Sequence, residues 1–215
     1  LHLCDRRQRQ MCIRDRPYRA NMYALWKLGC KYIISACAVG SLQEEYRPGD
    51  LVIADQFIDW TKKRDYTYFM DKTVHMSMPD PCCPYLNQIF AETAEEMKIP
   101  YHVGGTYICI EGPRFSNRAE SRMFRQFGDI VGMTMVPECQ LARELGMCYC
   151  SLATVTDYDC WKDEDVTIDM VMKIMAECLD KVLRLLELGL PKIKDESTCH
   201  CIESAKGCGS LDEIQ

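Results

Sequence analysis

Two acids two residues apart, Asp157 and Asp159, close an apolar run in the segment TVTDYDCW, residues 154–161. The residues just before it, Cys148 to Ala153, have the composition of a buried strand. Side chains at i and i+2 of a strand share a face, so this spacing aims Asp157 and Asp159 together and Tyr158 away. The carboxyl ends of strands are where open α/β sheets form their ligand crevices. An aspartate near its free value of about 3.9 is ionised at pH 7 and has no proton to give. Burial raises that value, as does a second carboxylate close by, and two acids in one pocket titrate as a unit. The pair therefore suits general acid catalysis. On spacing alone it suits two other roles equally: solvated loop carboxylates, or the DxD cation ligands of a nucleotide-sugar transferase.

The elements that must position these acids follow from periodicity. Arg19–Leu28 has helical spacing, with Met22, Leu25 and Trp26 toward a core and Gly29 placed to end it. Tyr32–Ala36 is a short apolar strand, and Asp50–Ile58 reads as another after the Pro48–Gly49 turn. Asp59 to about Pro84 is a long polar and then proline-rich excursion, a kind of loop that is often functional. Helix Tyr85–Lys98, strand His102–Ile110, helix Asn117–Phe127, strand Ile130–Met133, helix Val136–Leu145 and strand Cys148–Thr156 follow in turn. Thr167–Leu188 is a long helix with Ile168, Val171, Met175, Leu179, Val182 and Leu186 on one stripe. Strands alternating with helices predict an α/β fold with a largely buried sheet.

Composition narrows the class. The chain has 215 residues, 47% hydrophobic and 27% charged, which fits one globular domain. A net charge of −6 and no basic run in the expected folded part argue against a nucleic-acid surface. No apolar stretch is long enough for a membrane span. The 15 cysteines are scattered through expected core elements, where the thiol packs as a small apolar group, so a reducing cytoplasm is expected.

Three further segments sit in a telling order around the acid pair. They are AVGSL at 38–42, IEGPRFSNRAES at 110–121 and VGMTMVPE at 131–138. With TDYDCW they resemble the purine nucleoside phosphorylase superfamily, and within it the 5′-methylthioadenosine phosphorylase branch, from about Tyr18 to Leu188. EGPRFS and TDYDCW are the specific segments; GSL alone is not. The resemblance implies a central mixed sheet flanked by helices, in one domain over 17–190 with a tail at 191–215. It also implies phosphorolysis of a nucleoside, with inorganic phosphate as co-substrate, no cofactor and no metal, in a homotrimer.

It assigns roles residue by residue. Asp157 faces purine N7 as the general acid, and Asp159 accepts from the 6-amino group. Phe115 stacks on the base and Met133 lies beneath the sugar, although either residue also fits as plain core. Thr134, Cys37 and Ala38 fall at the phosphate, with Cys37 where the family carries a threonine. Ile168 and Val171 match the apolar wall around a methylthio group. His75 lies in the excursion that relatives send to a neighbouring subunit's 5′ pocket, although a lone loop histidine is also an ordinary solvent-exposed residue. The 6-oxopurine branch tends to carry an asparagine where Asp157 stands and a glutamate after the phenylalanine. Here Ser116 follows Phe115, which favours 6-aminopurines. The alternatives are a phosphorylase of inosine, guanosine or 5′-methylthioinosine, and a nucleoside binder without turnover.

Two regions depart from this pattern. Residues 1–16, LHLCDRRQRQMCIRDR, lack any period, and MCIRDR resembles a translated sequencing adaptor, so a non-native segment without function is expected. The family's glycine-rich phosphate turn and a following arginine–histidine pair precede the region matching Pro17, and neither occurs here. The N-terminal strands are thus expected to be missing, and the chain as written to be inactive and poorly stable. In the tail, Cys199, His200, Cys201 and Cys208 are close together but lack a second clean ligand pair. A disulfide within CxC, or disorder, is expected there rather than a metal.

Overall fold

The computed structural model describes residues 16–162, 165–194 and 199–206; the segment 1–15 and Cys208 lie outside the described residues. Seven strands form one sheet: β1 (Tyr32–Ser41), β2 (Leu51–Ala54), β3 (Gln56–Trp60), β4 (Tyr101–Val103), β5 (Thr106–Ile110), β6 (Ile130–Gly132) and β7 (Cys148–Asp157). Their spatial order is β3-β5-β6-β1-β7-β2-β4. β7 runs parallel to β1 and antiparallel to β2, so the sheet is mixed, as the sequence implied.

The sheet is also curled, which the sequence reading did not anticipate. The expected strand Asp50–Ile58 breaks at Asp55 into β2 and β3, and the expected strand His102–Ile110 breaks at Gly104–Gly105 into β4 and β5. Each break sends the chain to the opposite end of the strand order, so the two ends of the sheet are drawn together. The glycines make this corner possible, because both hold φ values, +82° and +119°, that residues with a Cβ rarely adopt. Asp55 fastens it, accepting from the Gly105 N–H at 3.0 Å, while Gly104 N–H donates to Ile53 O at 3.0 Å.

Helices cover both faces: α1 (Tyr18–Lys27), α2 (Pro84–Glu96), α3 (Arg118–Phe124), α4 (Met135–Glu144), α5 (Ile168–Gly189) and α6 (Cys201–Lys206). Every residue of β7 is buried, and its side chains alternate between two cores. Tyr149, Ala153 and Val155 pack with Met22 of α1 and Leu141 of α4. Cys148, Cys150 and Leu152 pack with Leu86 and Phe90 of α2 and Leu185 of α5. The stripe expected on the long helix is only partly inward. Val182 and Leu186 are half-buried, but Ile168 and Leu179 are exposed, and the contact face runs through Cys178, Leu185 and Gly189. A Cβ on Gly189 would stand 2.6 Å from the Phe90 ring, so glycine sets how closely α5 can approach α2.

The excursion between β3 and α2 contains no helix or strand, yet buried cations anchor it, Arg64 at its start and Arg143 at its end. Arg64 donates to the carbonyls of Ile110 (3.1 Å), Glu111 (2.8 Å) and Met133 (2.7 Å), and also to Val136 O. Its Nε lies 3.6 Å from the Glu111 carboxylate. One side chain thus ties the end of β5 to the β6–α4 junction. Replacing it strips a buried donor from several carbonyls at once. Arg64→Ala is expected to lose about 3 kcal/mol or more in urea unfolding, whereas a loss below about 1 kcal/mol would show these bonds to be incidental.

Candidate active site

β7 carries the acid pair into the interior, but not as a simple strand. β1 and β7 stay in register from Tyr32↔Cys148 to Val39↔Val155, then Gly40 pairs with Asp157, leaving Thr156 as an extra residue. The Thr156 hydroxyl sits 3.2 Å from Val39 O and 2.7 Å from Asp157 Oδ2. The strand ends at Asp157, whose Oδ1 accepts from the Asp159 N–H at 2.8 Å. That bond turns the chain into a short 3-10 segment, Asp159–Trp161, with Asp159 at φ +49°. The two acids therefore come together through a turn rather than through the i, i+2 alternation expected from their spacing. Gly40 makes room for them: a Cβ there would stand 2.9 Å from Asp157 Oδ1 and 3.3 Å from Asp159 Cβ.

The EGPRFS turn forms the opposite wall. Asn117 caps α3, accepting from the N–H groups of Ala119 (3.0 Å) and Glu120 (2.9 Å), while Glu120 accepts from the Asn117 N–H at 3.0 Å. Arg114 donates to both Glu120 oxygens at 2.6 and 2.7 Å and to Phe115 O at 3.0 Å. Its guanidinium holds the Glu120 carboxyl down to about 2. The turn that presents Phe115 and Ser116 is thereby fixed at both ends. On the third side, Thr134 N–H donates to the Tyr107 hydroxyl at 3.3 Å. Gly112 lets that side close in, since a Cβ on it would meet Met133 Sδ at 2.6 Å.

These walls enclose a cavity of about 350 Å³, within the usual range for small-molecule sites. Of the residues singled out in the sequence, Cys37, Ala38, Phe115, Met133, Thr134, Asp157, Asp159 and Val171 all line it. Ile168 does not: it begins α5 and is 62% exposed, and Met175, one turn beyond Val171, lines the cavity instead. His75 is exposed and not on the cavity wall of this chain. Arg16, at the end of the segment expected to lack a role, does line it, 3.5 Å from Glu138. Sequence reasoning missed Gly40, Ser121 and Met175. Met175 had a signal, its place on the apolar stripe of the long helix; Gly40 lies past the expected strand, and Ser121 had none.

The phosphorylase superfamily model matches residues 14–188. The S-methyl-5′-thioadenosine phosphorylase of Pyrococcus abyssi is 59% identical over 191 residues, covering 88% of this chain and 74% of the relative. A probable 6-oxopurine nucleoside phosphorylase of Dictyoglomus turgidum is 46% identical over 193 residues, covering 88% and 73%. The crystal structure of a methylthioadenosine phosphorylase from an antarctic soil metagenomic library superposes with a TM-score of 0.86 at 40% identity, covering 94% of this chain and 74% of that one.

Electrostatics separate the acids from ordinary carboxylates. Burial pushes Asp157 above the usual aspartate value, against the lowering by the Thr156 hydroxyl and the Asp159 N–H; repulsion from Asp159 adds least. Burial likewise raises Asp159, with the Ser121 and Ser116 hydroxyls moderating the rise. Asp159 Oδ2, Ser116 Oγ and Ser121 Oγ are buried and close no hydrogen bond among the described residues. Of the two causes expected from the sequence, burial is thus the main one and mutual repulsion the lesser. Cys37 is pushed up to about 11, also by burial, and remains a neutral thiol.

A raised value means that the folded state holds the proton more tightly than the unfolded chain. The stabilisation this gives is complete below the unfolded value of about 3.9 and is lost as pH rises through the folded value. Asp157→Asn keeps an acceptor for the Asp159 N–H and never ionises. It is expected to raise Tm at pH 7 and to leave Tm nearly unchanged at about pH 3. An unchanged or lower Tm at pH 7 would contradict the assignment of a desolvated carboxyl.

Proposed function

The chain belongs to the phosphorylase superfamily, and on that basis we propose that it cleaves 5′-methylthioadenosine with phosphate to give adenine and 5-methylthioribose 1-phosphate. The observation that carries this reading is the buried pair Asp157 and Asp159, facing Phe115 and Ser116 across one cavity. A phosphate oxygen attacks C1′ of the ribose as the C1′–N9 bond breaks, and the bonding pair leaves with the purine. Asp157, whose carboxyl burial holds above the usual aspartate value, gives its proton to N7 and neutralises the leaving base. Asp159 accepts from the 6-amino group; against a 6-oxopurine the same oxygen would face another acceptor.

The rest of the cavity has the matching chemistry. Phe115 offers an apolar face to the base. Met133 packs under the sugar, and Thr134, Ala38 and Cys37 supply amides, a hydroxyl and a thiol at the phosphate end. Val171 and Met175 form an apolar wall suited to a methylthio group rather than to a hydroxyl. Phosphate is the only co-substrate, and no metal acts at the reacting atoms. The assembly is a homotrimer in the cytoplasm. Exposed apolar residues along α5, including Ile168 and Met172, support association. No helix among the described residues is long and apolar enough to cross a membrane.

The test is adenine release from 5′-methylthioadenosine, assayed with the family's phosphate turn supplied ahead of Pro17. Release is expected to require phosphate and to be indifferent to a chelator over the assay; faster cleavage of inosine would favour the 6-oxopurine reading instead. Asp159→Asn is expected to lower the preference for 5′-methylthioadenosine over 5′-methylthioinosine by about 10²-fold or more. An unaltered preference would remove Asp159 from base recognition.

A further inference from the structure

Away from the cavity, four cysteine sulfurs converge on one point. Cys83 precedes α2, Cys148 opens β7, Cys199 lies in the tail and Cys201 opens α6. Their Sγ atoms all lie within 4.8 Å of one another, and Cys148 and Cys199 approach to 3.4 Å. Cys83, Cys148 and Cys201 are buried and Cys199 is half-buried. The sequence placed only the CxC half of this group. Its second pair comes from two elements far away along the chain, which no spacing rule could join.

We propose that Cys83, Cys148, Cys199 and Cys201 form a tetrahedral tetrathiolate site for a zinc ion that clamps the C-terminal helix α6 to α2 and β7. Four sulfurs about 2.3 Å from a central zinc stand roughly 3.8 Å apart, close to the spacing here. A disulfide needs sulfurs at about 2.05 Å in separate pairs, whereas here each sulfur meets at least two others. An all-sulfur tetrahedral set selects zinc or iron over the hard cations. Binding displaces a proton from each thiol to solvent, leaving a doubly negative zinc–thiolate centre.

The surroundings suit that charge. Cys83 stands at the N-terminus of the 13-residue helix α2, with the Leu86 N–H toward its sulfur. The Arg143 guanidinium acts on Cys201 and also donates to the carbonyls of Asp80 and Pro81 (3.1 Å for the latter), just ahead of Cys83. Leu86, Phe90 and Leu185 pack around the cluster and keep it dry. None of the four cysteines lines the cavity of the acid pair, so this site stands or falls apart from the proposed activity.

The test uses the full 215-residue chain, purified under reducing conditions from zinc-supplemented medium. About one zinc per chain is expected by elemental analysis, and cobalt loaded in its place should give the intense visible bands of a tetrahedral thiolate complex. Cys199→Ser with Cys201→Ser is expected to lower bound zinc about tenfold or more and to lower Tm. It leaves Cys83 and Cys148 in the core, and circular dichroism reports whether the α/β fold persists. Absence of zinc together with absence of the cobalt bands would overturn the proposal, whatever the variant does. So would an intact mass under reducing-free handling that shows all four sulfurs oxidised into disulfides.

Discussion

A carboxyl group carried into the interior on the end of a fully buried strand is the constraint around which this molecule is arranged. An isolated charge there is costly, so the group resists ionising. The surrounding structure offsets only part of that penalty: Thr156 and the Asp159 N–H bond to Asp157, and two serine hydroxyls face Asp159. A fuller set of donors would hold both acids as ordinary carboxylates with no proton to deliver. Too few donors would leave the chain less able to fold. The raised value that results suits the proton delivery proposed for Asp157.

Position matters as much as protonation, and it is set by elements well away from the acids. The curled sheet brings the ends of β1, β5, β6 and β7 around one cavity, and Asp55 with Gly104 and Gly105 makes the corner that curls it. Arg64 fixes the β5 end to the β6–α4 junction, so that Phe115 and Met133 are held on rigid supports. The Arg114–Glu120 pair and the Asn117 cap fasten the intervening turn. Sites built on such supports keep reacting groups in place more precisely than free loops do.

The chemistry was more legible in the sequence than the geometry. Strand composition before Asp157, helical spacing over Tyr85–Lys98 and the order of the EGPRFS and MTMVPE segments carried the fold class and most of the cavity wall. What escaped was non-local. A corner at Asp55 looks like strand interior until β4 and β5 are known to bend beside it. Ile168 fits the helical stripe of α5 as well as Met175 does, and only the packing of Leu185 and Gly189 against Phe90 of α2 decides which face turns inward. The repulsion expected between Asp157 and Asp159 proved secondary to burial, a property of the whole fold rather than of their spacing. Cys83 and Cys148 had no sequence signal linking them to Cys199 and Cys201.

The central claim is that burial keeps Asp157 protonated beyond the ordinary aspartate range. The most direct measurement is the titration of its side-chain carboxyl by 13C NMR in the folded chain, repeated with Asp159→Asn. The account predicts a midpoint clearly above about 3.9 that moves little when the neighbouring charge is removed. A midpoint at or below that value, or one that collapses with Asp159→Asn, would contradict it.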